Sequence, residues 1–111
     1  MTDCIFCKLS NNDIPTEKLY EDDKLYVIKD IRPKAPTHLL AITHEHISSL
    51  KEANASHAAL LGHVMVSLQR FAKQAGLSDF RVIANSGPGA GQEVFHLHFH
   101  ILGGPGHLPG F

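Results

Sequence analysis

Three histidines recur at every second position in His96-Leu97-His98-Phe99-His100-Ile101-Leu102, with one apolar residue between each pair. Read as an extended strand, this segment sends successive side chains to opposite faces. His96, His98 and His100 then share one face, and Leu97, Phe99 and Ile101 share the other. One face suits burial and the other suits chemistry. At a rise of about 3.3 Å per residue, neighbouring histidine Cα atoms stand roughly 7 Å apart and the outer pair about 13 Å apart. Ligand bonds of about 2.0 to 2.1 Å to a single zinc do not gather all three, so separate tasks are expected for them. With an ordinary pKa of about 6.5, imidazole is largely neutral near pH 7. It can then attack an electrophile, donate a hydrogen bond or pass a proton. The bland alternative is a half-exposed strand carrying surface histidines. It is disfavoured because one strand rarely spends every outward position on the same titratable residue.

Just ahead of this row lies Ser86-Gly87-Pro88-Gly89-Ala90-Gly91-Gln92. Without Cβ atoms at its glycines, the loop lets backbone N–H groups converge on a ligand, which makes it a candidate anion cradle. It is not a P-loop, because no Gly-Lys-Ser/Thr follows and a strand rather than a helix is expected next. Alone, such a loop more often only turns the chain. Beside a histidine row it suggests a phosphorus centre facing imidazoles. The pair Cys4-x-x-Cys7 supplies half of a four-ligand zinc site. Its rivals are two inert thiols or a redox dithiol, although the latter normally opens a helix after a strand, a context the sequence does not suggest.

The elements that must position these groups can be read from pattern. Leu19-Tyr20-Glu21, the turn Asp22-Asp23 and Leu25-Tyr26-Val27-Ile28 predict a β-hairpin. Pro33 and Pro36 break the chain before a strand at His38–Thr43. From about Ser56 to Ala75, Leu60, Leu61, Val64, Leu68, Phe71, Ala72 and Ala75 recur at helical spacing, with Asn54 or Ser56 as N-cap and Gly76 as stop. His57 and His63 on this helix read as surface or packing residues. Gly62 costs about 1 kcal/mol relative to alanine there, which invites a close backbone approach, for instance by a second subunit. Phe80–Asn85 and Val94–Leu102 predict two further strands. The expectation is an α+β fold, one long helix covering the apolar side of an antiparallel sheet of about five strands.

At 111 residues the chain is expected to form one domain, 1–111, and to bury roughly 65% of its unfolded surface. Ten basic residues against eleven acidic ones, a formal net charge of −1 and no basic stripe argue against a nucleic-acid backbone as partner. No stretch has membrane-spanning length and Met1-Thr2-Asp3-Cys4 does not open like a signal peptide, so a cytoplasmic location and no membrane partner are expected. Reduced thiols or metal ligands fit that compartment better than a disulfide.

The segment Gly91–Gly104 resembles the signature of the histidine triad superfamily, His-x-His-x-His with apolar x. Asp30–His38 resembles a second recurring segment of that family. Cys4–Lys8 and Tyr20–Asp23 resemble its N-terminal region. Gly103-Gly104 and Pro109-Gly110 are more similar to the nucleotide-binding (Hint) branch than to the fragile-histidine dinucleoside polyphosphate hydrolases. The resemblance implies hydrolysis of a purine nucleoside 5′-phosphoramidate, such as adenosine 5′-monophosphoramidate, with His98 as the nucleophile that becomes nucleotidylated. Dinucleoside polyphosphate cleavage is the enzymatic alternative, and a non-enzymatic nucleotide-binding interaction protein is the other.

The resemblance further implies that His100 and His38 serve the phosphate and that Asn85 lies beside phosphate and ribose. Asp30 matches the carboxylate that takes the ribose hydroxyls, being acceptor-only when ionised; the lesser alternative, on sequence alone, is a turn aspartate ahead of a proline-rich loop. Gly91, Gln92, Glu93 and Val94 match the phosphate loop, with Glu93 where some relatives carry serine. Phe6, Leu9, Ile28 and Ile31 match positions around the base, though each could be ordinary core. For the metal, the resemblance implies a structural zinc on Cys4, Cys7, His46 and His96, with His44 the local competitor of His46 and no cofactor needed for catalysis. His107 is expected in solvent. A homodimer with the sheet continuing across the interface is implied as well.

Overall fold

The computed structural model describes residues 3–110. A short helix α1, Ile5–Ser10, comes first, and strands β1, Tyr20–Glu21, and β2, Leu25–Lys29, form the expected hairpin. Its turn is tied by Asp22, whose Oδ1 accepts from the Lys24 and Leu25 N–H groups at 2.7 and 2.9 Å. Strand β3 covers Thr37–Thr43, helix α2 Ala58–Gln74, strand β4 Phe80–Ile83 and strand β5 His98–Gly103. The five strands form one antiparallel sheet in the order β1-β2-β3-β5-β4. No helix among the described residues is long and apolar enough to cross a membrane.

Strand alternation sorts the sheet into two faces. Leu25, Val27, Leu39, Ala41, Phe99 and Ile101 pack with Val64, Leu68, Phe71 and Ala72 of α2. Complete burial of such side chains stabilises the fold by about 1.5–3 kcal/mol each, so α2 is held by tertiary packing more than by propensity. On the opposite face, Tyr26, Ile28, Leu40 and Ile42 pack with Phe6 and Leu9 of α1. The Tyr26 hydroxyl donates to the Phe6 carbonyl at 2.6 Å and pins α1 to the sheet.

Several boundaries differ from the sequence reading. β5 begins at His98, not at Val94 or His96, because residues 93–97 run irregularly before joining the sheet. A 3₁₀ turn at Ala55–His57 precedes α2, and Asn54 caps that turn while the His57 ring accepts from the Asn54 N–H. β4 stops at Ile83, and α1 was not legible at all. A Cβ at Gly62 would meet no atom within 4 Å among the described residues, so no close approach by them explains this glycine. At the end of β5 the opposite holds: a Cβ at Gly103 would lie 2.8 Å from Leu77 Cδ2 and 2.9 Å from the Asp79 carbonyl oxygen. Gly104, with φ +134°, would press a Cβ to 2.5 Å from Pro36.

Candidate functional site

The register of the central strands brings the chemistry together. Leu40 pairs with His100 and Ile42 with His98 across β3 and β5, while Ile83 pairs with His100 across β4 and β5. His98 and His100 therefore lie on the α1 face, as the alternation demands, with Phe99 and Ile101 in the α2 core. They line a cleft of about 450 Å³ whose other walls include Phe6, Leu9, Ile28, Asp30, Asn85 and the loop Gly91–Val94.

Backbone partners fix the proton on His98 and His38, and His38 in turn sets that of His100. The His98 Nδ1–H donates to the His96 carbonyl at 2.7 Å, so its Nε2 keeps a lone pair. The Lys34 N–H donates to His38 Nδ1 at 3.0 Å, which puts the His38 proton on Nε2. That proton is shared toward His100 Nδ1 at 2.8 Å, with Asp30 Oδ2 farther at 3.4 Å. His100, accepting at Nδ1, must carry its own proton on Nε2 and is a donor there. The cleft thus holds a nucleophilic nitrogen beside a hydrogen-bond donor.

Burial lowers the pKa of all three imidazoles. For His100 it brings the value to about 4, with the neighbouring His98 and His38 pushing the same way and Asp30 opposing. For His98 burial outweighs the His96 carbonyl and Asp30. For His38 it outweighs Asp30, with Lys34 assisting. All three are neutral at pH 7. Asp30, His38 and His100 present donor atoms within 4.8 Å of one another, but a cation on His38 Nε2 would displace the proton to Nδ1, against the Lys34 N–H. The cluster is better suited to relay hydrogen bonds than to bind a metal.

Asp30 makes the turn contact and also lines the cleft. Its Oδ1 accepts from the Arg32 N–H at 2.8 Å, a turn contact, while Oδ2 lies toward His38 and the cleft. Asn85 makes no side-chain hydrogen bond among the described residues, leaving its amide available to a ligand. The expectation that Gly91 and Gln92 would offer N–H groups to an anion needs correction. Their N–H groups are consumed inside the loop by the Pro88 and Gly87 carbonyls, at 3.0 and 3.1 Å. Those of Glu93 and Val94 have no partner among the described residues. The buried Gln92 side chain instead binds the Gly87 N–H and the Ser48 and Val94 carbonyls, bracing the loop. Ile31 is 92% exposed and forms an outer lip rather than a wall.

A second constellation lies behind the first. His96 Nδ1 is 3.2 Å from Cys4 Sγ, 3.5 Å from Cys7 Sγ and 3.1 Å from His46 Nδ1, and Cys7 Sγ is 3.3 Å from His46 Nδ1. Tetrahedral zinc with bonds of about 2.3 Å to sulfur and 2.05 Å to nitrogen separates its ligand atoms by about 3.3–3.7 Å. The four atoms are therefore close to the spacing zinc would impose. His96 is fully buried, its Nε2–H donating to the Thr43 carbonyl at 2.6 Å, which leaves the Nδ1 lone pair aimed into the cluster. Burial, aided by the neighbouring imidazoles, brings its pKa to about 4. Burial and Cys4 both raise the Cys7 pKa, so a thiolate there needs a cation beside it.

His44 is excluded as the alternative ligand, since Nδ1 meets Ser10 Oγ at 2.6 Å and Nε2 the Asp22 carbonyl at 3.0 Å. The redox-dithiol context, a helix opened after a strand, is met only in part. The cysteine pair does open a helix, Cys4 Sγ accepting from the Cys7 N–H at 3.3 Å as N-cap of α1. No strand precedes it among the described residues, and two imidazoles converge on the thiols. His63, read as incidental, holds Asp22 Oδ2 at 2.8 Å. Burial alone would raise the pKa of Asp22, but the Lys24 and Leu25 N–H groups, His63 and Tyr20 outweigh it and hold it at about 2. His107 is exposed, as expected.

Residues 3–110 match the family described as "Scavenger mRNA decapping enzyme C-term binding". Among curated relatives, Protein HitA of Neisseria gonorrhoeae is 48% identical over 106 residues, covering 95% of this chain and 99% of that protein. A protein of Zea mays named "14 kDa zinc-binding protein" is 41% identical over 103 residues, covering 90% of this chain and 80% of its own. A histidine triad protein structure from Clostridium difficile superposes with TM-score 0.93 at 42% identity, covering 100% of this chain and 97% of that one. A HIT family hydrolase from Legionella pneumophila gives TM-score 0.90 at 39% identity, covering 94% and 95% of the two chains.

Proposed function

This chain belongs to the histidine triad superfamily, and from that premise we propose that it is a hydrolase of purine nucleoside 5′-phosphoramidates acting through a nucleotidyl intermediate on His98. The single observation that supports this most is the tautomer of His98: its Nδ1 proton is engaged by the His96 carbonyl, leaving Nε2 as an unprotonated nitrogen in the nucleotide-sized cleft. Nε2 attacks the α-phosphorus and the P–N bond breaks, the departing amine taking a proton from solvent. Water then attacks the same phosphorus. The N–P bond breaks, nucleoside monophosphate leaves, the water protons pass to solvent and neutral imidazole is restored. His100, donating from Nε2, holds a phosphoryl oxygen, and the N–H groups of Glu93 and Val94 add donors to the developing charge. Asp30 takes the ribose hydroxyls, Asn85 bridges phosphate and ribose, and Phe6, Leu9 and Ile28 hold the base.

A structural zinc on Cys4, Cys7, His46 and His96 belongs to the same reading, supported by the ligand spacing and by the name of the maize relative. It would hold α1 to the sheet and take no part in the displacements. A homodimer is also part of it. Strand β4 is a sheet edge, and its Phe80 and Val82 are 40% and 38% exposed, as an edge that continues into a second copy would be. A monomer mass in sedimentation at micromolar concentration would remove that part. The function itself is tested by rapid mixing with adenosine 5′-monophosphoramidate or with a dinucleoside polyphosphate, followed by intact-protein mass measurement. A nucleotidyl adduct with the phosphoramidate that is absent in His98→Ala is expected. Adduct formation and turnover only with the polyphosphate would favour the alternative, and neither with either substrate would leave a binding protein.

A further inference from the structure

His96 and His98 are joined by more than proximity. The ring of His96 enters the Cys4, Cys7, His46 cluster through Nδ1, while its own backbone carbonyl accepts the His98 Nδ1–H at 2.7 Å. One residue thus touches the candidate metal centre with its side chain and fixes the tautomer of the proposed nucleophile with its main chain. His96 lies outside β5, and its carbonyl shares one planar peptide with the Leu97 N–H. The following residue is tied, Leu97 N–H donating to the Ile47 carbonyl at 2.6 Å and its carbonyl lying 3.5 Å from Thr43 N. That peptide plane is held from Ile47, the residue after His46. The His96 ring is held by the Thr43 carbonyl on Nε2 and by the cluster on Nδ1, so both imidazoles of the cluster bear on the carbonyl that His98 uses.

A second path runs through α1. Phe6 lies between Cys4 and Cys7 in sequence, and its ring meets His96 edge-on at 5.9 Å and His98 edge-on at 5.1 Å between centroids. Ligation of the two thiols fixes the helix that carries this ring, and the ring backs the His98 imidazole. Without a cation, the Cys4 and Cys7 S–H groups can donate to the His96 and His46 nitrogens; a cation would replace those protons and tie all four ligand atoms to one point.

We infer that the metal centre positions the nucleophile, with His96 as the positioning residue: a bound cation fixes its ring, and through its carbonyl and Phe6 fixes the orientation and tautomer of His98. The inference rests on the reading of His98 as nucleophile and assigns the metal a role in readiness for catalysis beyond stability. By thermodynamic reciprocity, if metal binding prepares the nucleotide site, nucleotide must tighten the metal by the same factor.

The test uses the intact chain loaded with Zn²⁺ and the same chain stripped by a chelator. In ¹⁵N imidazole spectra the loaded form is expected to show His98 as a single Nδ1-protonated tautomer with a slowly exchanging proton, and the stripped form a mixture of tautomers. An unchanged His98 signal overturns the inference. Should stripping unfold the chain, the same spectra are compared between the folded Zn²⁺-loaded and Cd²⁺-loaded chains, the larger ion displacing the His96 ring: a changed His98 proton-exchange rate is expected, and an identical one overturns the inference. Where the stripped chain stays folded, Zn²⁺ affinity by chelator competition, with and without saturating adenosine monophosphate, gives a second reading. About a fivefold tightening is expected, mirrored in nucleotide affinity; equal affinities within measurement error overturn the coupling. Failure of adenosine monophosphate to bind at all would instead strike the functional reading, and the imidazole spectra would still decide the coupling.

Discussion

The two histidine clusters of this fold use the same side chain in opposite ways. In the cleft, His38 and His100 alternate donor and acceptor nitrogens in a chain that begins at the Lys34 N–H. Behind it, His96 aims a lone pair at two thiols and at another imidazole nitrogen. The difference lies in the backbone group that each ring meets first. A carbonyl at Nε2, as Thr43 gives His96, leaves the lone pair on Nδ1, toward the thiols; a carbonyl at Nδ1, as His96 gives His98, leaves it on Nε2. Residue type supplies the chemistry, and the main chain selects which atom performs it.

That contrast can be broken most severely at His98. His98→Ala is expected to lower turnover by about 10⁴-fold or more, since no other group in the cleft is placed as the nucleophile, while nucleoside monophosphate affinity measured by calorimetry changes little. Replacing both thiols, Cys4→Ser with Cys7→Ser, attacks the other cluster. Bound zinc should disappear from elemental analysis, and Tm should fall by about 10 °C, corresponding to roughly 2 kcal/mol. His38→Ala removes the donor that sets the His100 tautomer. A loss of about 10- to 100-fold in kcat is expected, with partial recovery in His38→Gln, whose amide can donate again.

Proton titration sharpens the comparison less violently. Because burial lowers the pKa of His98, the acid limb of kcat/KM should have its midpoint below the ordinary imidazole value of about 6.5. Stability follows from His100, whose pKa is about 4 when folded and about 6.5 when unfolded. Between these values the unfolded chain binds a proton that the folded chain refuses. The contribution of His100 is therefore fully present above about pH 6.5 and is lost as pH falls through about 4, which denaturant titrations at several pH values would show. The smallest effect is expected at the cleft's lip, where Ile31→Ala should change stability by less than about 0.5 kcal/mol and leave KM nearly unaltered.

Much of this architecture is legible in local pattern. The alternation at His98–Ile101 gives the two faces of β5, and the helical spacing of Val64, Leu68, Phe71 and Ala72 gives the core side of α2. What is not legible depends on contacts distant in sequence. Helix α1 is only six residues long, too short for a periodic signal, and its capping comes from a thiol, which no propensity scale flags. His44 and His46 look equivalent as ligands until Ser10 and the Asp22 carbonyl take both nitrogens of His44. The loop glycines suggest an anion cradle, yet the fold spends the Gly91 and Gln92 N–H groups on its own turn and leaves those that follow. The bracing role of Gln92 had a faint signal in a long polar side chain within a glycine-rich loop, but its three partners are not deducible from sequence.

The glycine pair at the end of β5 bears on how faithfully the chain folds. Shifting β5 by one place against its neighbours would turn His98 and His100 into the α2 core and expose Phe99 and Ile101. In one direction the shift brings Leu102 to the position of Gly103, where even a Cβ collides with Leu77 and the Asp79 carbonyl. In the other it brings Pro105 to the position of Gly104, whose φ of +134° a proline ring cannot adopt. Both misalignments meet a steric conflict, so these two residues without side chains favour the native register over its slipped neighbours.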